Sequence, residues 1–139
     1  MERVSSCTGG THKIYDPDHY KVVFMSSAPI GLPFLEKLHS DPRFEVNGVV
    51  TMPDKPSGRG MKMKPNIIKA KARELGLGED CIKTPQSLKL KSKKYGADAQ
   101  QTTTRLETLK PDFIVVIAYG KIIPQHILDI PTIGPINVH

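Results

Sequence analysis

The residues best suited to chemistry in this sequence stand two apart, Asn137 and His139 in the stretch INVH. An amide side chain can donate to a developing oxyanion, and an imidazole, with a reference pKa of about 6.5, can accept and return a proton. If residues 135–138 form a strand, alternation sets Asn137 and His139 on one face and Ile136 and Val138 on the other, toward a core. Asn-x-His alone is a weak signal, because a histidine at a strand end is more often a structural hydrogen-bonder.

A second stretch reads TMPDKPSGRGMKMKP, residues 51–65. Pro53, Pro56, Gly58 and Gly60 oppose regular structure, while Lys55, Arg59, Lys62 and Lys64 stand against Asp54 alone. A long loop in a compact domain is usually functional or disordered, and cationic side chains on such a loop supply phosphate contacts, hence affinity and register. The same composition also suits a solvated basic loop. Basic residues continue at Lys69, Lys71 and Arg73 and again at Lys89, Lys91, Lys93 and Lys94, within a chain of formal net charge +6 and pI near 9.4. That balance raises the question of an anionic partner. A third stretch, SSAPIG at 26–31, occupies the strand-to-helix turn where nucleotides often bind, but it lacks both GxGxxG and GxxxxGK[ST]. It reads as a connecting turn.

These stretches need elements to hold them. YKVVFM at 20–25 and FEVNGVVT at 44–51 have the β-branched and aromatic content of strands. Pro33 with Phe34, Leu35 and Leu38 predicts a helix between them, and residues 67–75 predict another that Gly76 and Gly78 stop. Residues 81–82 suggest a short strand, the Lys-rich run near Leu88 and Leu90 reads as helix or loop, and Leu106 with Leu109 suggests a helix ending before Pro111. DFIVVIA at 112–118 is apolar without alternation, the pattern of a strand covered on both faces. A short helix at 124–128 and a strand at 135–138 follow. The fold class is therefore α/β: an open, Rossmann-like, mostly parallel sheet with helices on both faces and its sites at the carboxyl ends of strands.

A chain of 139 residues with 38% hydrophobic and 24% charged residues suits one globular domain. No stretch has the roughly 18 consecutive apolar residues of a membrane span, and the first twenty residues lack the apolar segment of a secretory signal. Residues 1–20 are expected to form a flexible extension. The location expected is the cytoplasm or an organelle matrix, mitochondrial included. Cys7 and Cys81 give neither a disulfide framework nor a cysteine metal site, and both are expected to be ordinary thiols.

From residue 22 to residue 139 the chain resembles the methionyl-tRNA formyltransferases, within the formyltransferases that use 10-formyltetrahydrofolate. The resemblance is carried by TMPDKPSGRG (51–60), which is similar to the family's T-x-P-D-[RK]-x-x-G-R-G loop, by IAYGKIIP (117–124) and by INVH (136–139). It implies that Asn137 and His139 belong to an Asn, His and Asp catalytic set. Asn137 would stabilise the oxyanion as the amino group of methionyl-initiator tRNA attacks the formyl carbon, and His139 would assist proton transfer. It further implies folate binding along Ala118, Tyr119, Gly120, Lys121 and Ile122, tRNA contacts by Lys55, Arg59, Lys62 and Lys64, no metal, no membrane, and a monomer.

The sequence departs from that pattern too. The family continues past INVH into a Ser-Leu-Leu-Pro stretch, the catalytic Asp and a C-terminal tRNA-binding barrel domain. Residues 21–139 are thus expected to be the N-terminal part of a formyltransferase catalytic domain, truncated within its active site and inactive alone. Residues 26–28 also differ from the family's usual turn, and residues 89–104 are longer and more polar. Two other readings remain: a noncatalytic basic RNA-binding module, and a formyltransferase with a different acceptor.

Overall fold

The structure, a computed structural model, describes residues 14–57, 60 and 62–138. Its centre is a five-stranded sheet formed by β1 (Tyr20–Ser26), β2 (Phe44–Val50), β5 (Ile82–Lys83), β6 (Phe113–Ile117) and β7 (Gly134–Val138), ordered β5-β2-β1-β6-β7. Every pairing in it is parallel. Helices α1 (Leu32–Ser40), α2 (Ile67–Glu74), α3 (Gly96–Leu109) and α4 (Gln125–Leu128) connect the strands. This is the expected α/β, Rossmann-like architecture.

The alternation of β1 explains why the sheet needs helices on both sides. Val22 and Phe24 join Leu35 of α1 and Ile68 and Ala72 of α2 in one core. Val23 and Met25 join Leu106 of α3 and Ile127 of α4 in the other. A strand buried on both faces can carry large apolar residues at consecutive positions, each contributing about 1.5–3 kcal/mol on full burial. The chain builds β1, β2 and β5 outward in one direction and then β6 and β7 in the other. The reversal falls between β1 and β6, where an open α/β sheet leaves a crevice at its carboxyl edge.

Three expectations change. Residues 51–65, read as free of regular structure, contain an antiparallel ribbon of β3 (Lys55–Ser57) and β4 (Lys62–Lys64). A two-stranded ribbon has one unpaired side on each strand, so Pro56 can stand opposite Met63 without removing a needed donor. Helix α3 begins at Gly96, well before the Leu106–Leu109 signal. Its buried face uses Ala99, Thr102 and Thr103, and residues this small or polar give weak apolar periodicity. Cys81, expected to be an ordinary thiol, is buried and disulfide-bonded; Cys7 lies outside the described residues. A cysteine outside any framework or metal-site spacing gives the sequence no signal of its bonded state.

At the amino edge of the sheet, residues within the expected extension make contacts. The Asp16 amide donates to Pro42 O (2.9 Å), and the His19 ring meets Asp16 O (2.9 Å) and the buried Glu45 carboxylate (3.1 Å). Residues 1–13 lie outside the described part.

Candidate functional site

The crevice between the carboxyl ends of β1, β6 and β7 is a cleft of about 670 Å³, within the usual range for small-molecule sites. Its floor is the end of β6 and the following turn, with Val116, Ala118, Tyr119, Lys121 and Ile122. Ile30 and Phe34 line it from the β1–α1 side, and Asn137 and Val138 from β7. The wall is chiefly apolar, and Tyr119, Lys121 and Asn137 are its lining residues with polar side-chain groups.

Each of these residues has a local reason for its place. Asn137 stands opposite Val116 in the parallel register and Val138 opposite Ile117, so Asn137 faces away from Ile136 and Val138, as alternation requires. The apolar side is less covered than expected. Val138 packs against the α1/α2 core, but Ile136 is 44% exposed; β7 is the outermost described strand of the sheet.

The turn after β6 is held from below. Ala118 has φ 49° and Gly120 φ 93°. The left-handed region suits glycine but costs alanine about 1 kcal/mol or more. The Ser27 amide donates to Ala118 O (3.2 Å), and the Ser27 hydroxyl donates to Tyr119 O. The 26–31 turn therefore clamps the cleft floor, a role its reading as a plain connection missed. No sequence motif marks this role; it follows from β1 and β6 being neighbours.

Tyr119 is 2% exposed, and its hydroxyl is buried without a hydrogen-bond partner. Burial, and secondarily the Asp98 carboxylate, pushes its pKa up to about 12. The ring is therefore a neutral wall rather than a proton carrier at physiological pH. The Lys121 ammonium rests on Gln86 O, and the Gln86 amide donates to the Asp98 carboxylate (2.7 Å).

The basic hairpin rises from the end of β2 on the same carboxyl edge. Asn66 ties its base together. Its side-chain oxygen accepts from the Ile68 and Lys69 amides, capping α2, and from the Thr51 hydroxyl, all at 2.9 Å, while its amide donates to Met52 O. Asp54 pairs with Lys69 at 3.1 Å. An Asn before a helical run signals a cap, but its grip on both ends of the hairpin segment needs the folded chain. On the hairpin Lys55 stands directly opposite Lys64, and Lys55, Lys62 and Lys64 are all exposed.

The structure thus brings Ala118, Tyr119, Lys121, Ile122 and Asn137 into one cleft. Gly120 belongs to the same turn without lining the cavity, and the hairpin lysines do not line it either. His139 and Arg59 lie outside the described residues. Among the described residues no cluster of His, Cys, Asp or Glu side chains is placed to hold a metal ion, and no helix is long and apolar enough to cross a membrane.

Comparison with known proteins adds a lineage to this geometry. The formyl transferase family profile matches residues 20–139. Proteins named methionyl-tRNA formyltransferase from Clostridioides difficile strain 630 and from Dehalococcoides mccartyi strain CBDB1 are each 41% identical over 119 residues. One from Hydrogenobaculum is 38% identical over the same length. Each alignment covers 86% of this chain and 34% of the relative, so the chain spans about a third of the length of these curated relatives. With a parallel sheet, a cleft at its switch point and a profile match across nearly all of the described residues, the chain belongs to the formyl transferase family.

Proposed function

We propose that this chain is part of a methionyl-tRNA formyltransferase, which moves a formyl group from 10-formyltetrahydrofolate to the amino group of methionyl-initiator tRNA. Residues 21–139 would supply the donor side of the catalytic domain, in the cytoplasm or an organelle matrix. The observation that carries the reading is the meeting of Asn137 with the 118–122 turn in one largely apolar cleft. A flat, conjugated donor can lie against Ile122 and the backbone of the turn. The donor supplies an activated formyl carbon, and the Asn137 amide is on hand to donate to the oxygen that gains charge when an amine attacks that carbon. His139, two residues further along the chain, is the proposed proton-handling partner.

The hairpin supports an RNA acceptor over a small one. Like charges facing each other across two strands destabilise a ribbon, and the exposed Lys55–Lys64 pair stands on a hairpin none of whose described residues lines the cleft. A phosphate backbone would compensate that repulsion; a small acceptor would not need it. Lys55, Arg59, Lys62 and Lys64 are the proposed contacts.

The test is titration of the purified chain with 10-formyltetrahydrofolate, followed by calorimetry. One site is expected, weakened at least tenfold in Ile122→Asp, which puts a charge on the apolar wall, and little changed in Asn137→Ala. Absence of saturable binding would overturn the donor assignment. Wherever transfer is measured, Asn137→Ala should lower kcat by about 10²–10³ with little effect on KM.

A further inference from the structure

Residues 84–95, between β5 and α3, have no place in the activity proposed above, yet they are firmly built. Leu88 is 3% exposed and packs in the α3/α4 core with Tyr119. Gln86 is held at both ends, by Lys121 and by Asp98. The Ser92 amide donates to Lys89 O (3.1 Å), and the Tyr95 amide to the Ser92 hydroxyl (3.0 Å). Gly96 completes the closure, since a Cβ there would stand 2.9 Å from Leu90 O. The segment is a strap that runs from β5, at the margin of the sheet, back to the turn after β6.

Its outer surface is strongly cationic. Lys89, Lys91, Lys93 and Lys94 are exposed, and none of them takes part in an ion pair among the described residues. Residues 82–97 contain no acid. Solvated lysines on a mobile loop would need no further account, but these four are carried on an anchored backbone. Their position matters as well. β5 runs parallel beside β2, with Val50 opposite Lys83, so the strap and the basic hairpin leave the same sheet edge about 5 Å apart. Beneath the strap lies a groove of about 500 Å³ that shares Lys121 and Ile122 with the main cleft and is also lined by Lys89 and Tyr95.

We infer that this strap is a second phosphate-contact surface. Lys89, Lys91, Lys93 and Lys94 hold the backbone of an RNA strand that passes from the hairpin toward the cleft. The inference rests on the RNA-acceptor reading above. Charge complementarity favours a polyanion, and the groove's continuity with the cleft favours one whose end must reach the reacting centre. Such contacts release counterions, lowering the logarithm of the binding constant by about 0.7–0.9 per phosphate for each tenfold rise in salt.

The experiment measures binding of labelled tRNA to the 139-residue chain between 50 and 250 mM KCl. It compares the wild type with a strap variant (Lys89→Gln, Lys91→Gln, Lys93→Gln, Lys94→Gln) and a hairpin variant (Lys55→Gln, Lys62→Gln, Lys64→Gln), with thermal melting as the control for folding. The strap variant is expected to melt as the wild type does, to bind about tenfold or more weakly at 100 mM, and to show a salt slope shallower by about 3. Wild-type affinity and slope in the strap variant, alongside loss in the hairpin variant, would overturn the inference and leave the acceptor reading standing. No binding by the wild type would overturn both. A strap variant that loses affinity only for a polyglutamylated folate, and not for tRNA, would also overturn it.

Discussion

Ser27 holds Tyr119 by its carbonyl. The serine hydroxyl donates to Tyr119 O and its amide donates to Ala118 O, so the turn after β1 fixes the left-handed turn after β6. Removing the hydroxyl should release the floor of the cleft. Ser27→Ala is expected to cost about 1 kcal/mol in urea denaturation. Ala118→Val should cost about 1–3 kcal/mol, because a β-branched residue resists φ 49°, whereas Ala118→Gly should be close to neutral. A stable Ala118→Val variant would mean that the turn is not strained.

Asn66 serves the hairpin and α2 together. Asn66→Ala removes a helix cap and the bonds to Thr51 and Met52, and should destabilise the chain by about 2 kcal/mol. Asn66→Asp keeps the acceptor and loses only the donor to Met52, so it should recover more than half of that loss. Chemical denaturation of the two variants side by side decides the point.

Tyr119 predicts an alkaline signature. Its folded-state pKa is raised to about 12 from the ordinary value of about 10. The folded state therefore holds the phenolic proton more tightly than the unfolded chain does. Its contribution is fully present below pH 10 and is lost as the pH rises from 10 toward 12, to a total of about 2–3 kcal/mol. Tyr119→Phe should lack this loss and, having no unpaired buried hydroxyl, should be at least as stable as the wild type at pH 7. Stability curves for the two proteins from pH 8 to 12 would separate this effect from lysine titration.

Lys110 ends α3 with φ 49°. Glycine takes that conformation without a Cβ penalty, so Lys110→Gly is expected to stabilise the chain by about 0.5–1 kcal/mol. An unchanged denaturation midpoint would show that the lysine's other contacts offset the strain.

The outline of the sheet was legible in the sequence because its strands are short apolar runs, Pro33 marks the start of the first helix, and Gly76 and Gly78 stop the second. β1, β2 and β6 fall within a residue or two of the runs at 20–25, 44–51 and 112–118. The start of α3 was not legible, because a helix that buries alanine and threonine carries little apolar signal. Nor was the ribbon at 55–64, since prolines and glycines that exclude a long strand still permit two short ones.

Residue types by themselves determined that Asn137 shares a face opposite Ile136 and Val138 and that the 51–65 segment is basic; the resemblance carried by INVH, IAYGKIIP and TMPDKPSGRG pointed to the formyl transferases, to which the chain belongs. Only the tertiary structure decided which strands are neighbours. The reversal of strand order between β1 and β6 opens the cleft, brings Ser27 beneath Ala118, and draws the 84–95 strap back over Lys121. Those contacts join residues 35 to 92 positions apart. Periodicity describes one segment at a time, so it cannot choose between pairings that bury equal apolar surface; packing both faces of one sheet can.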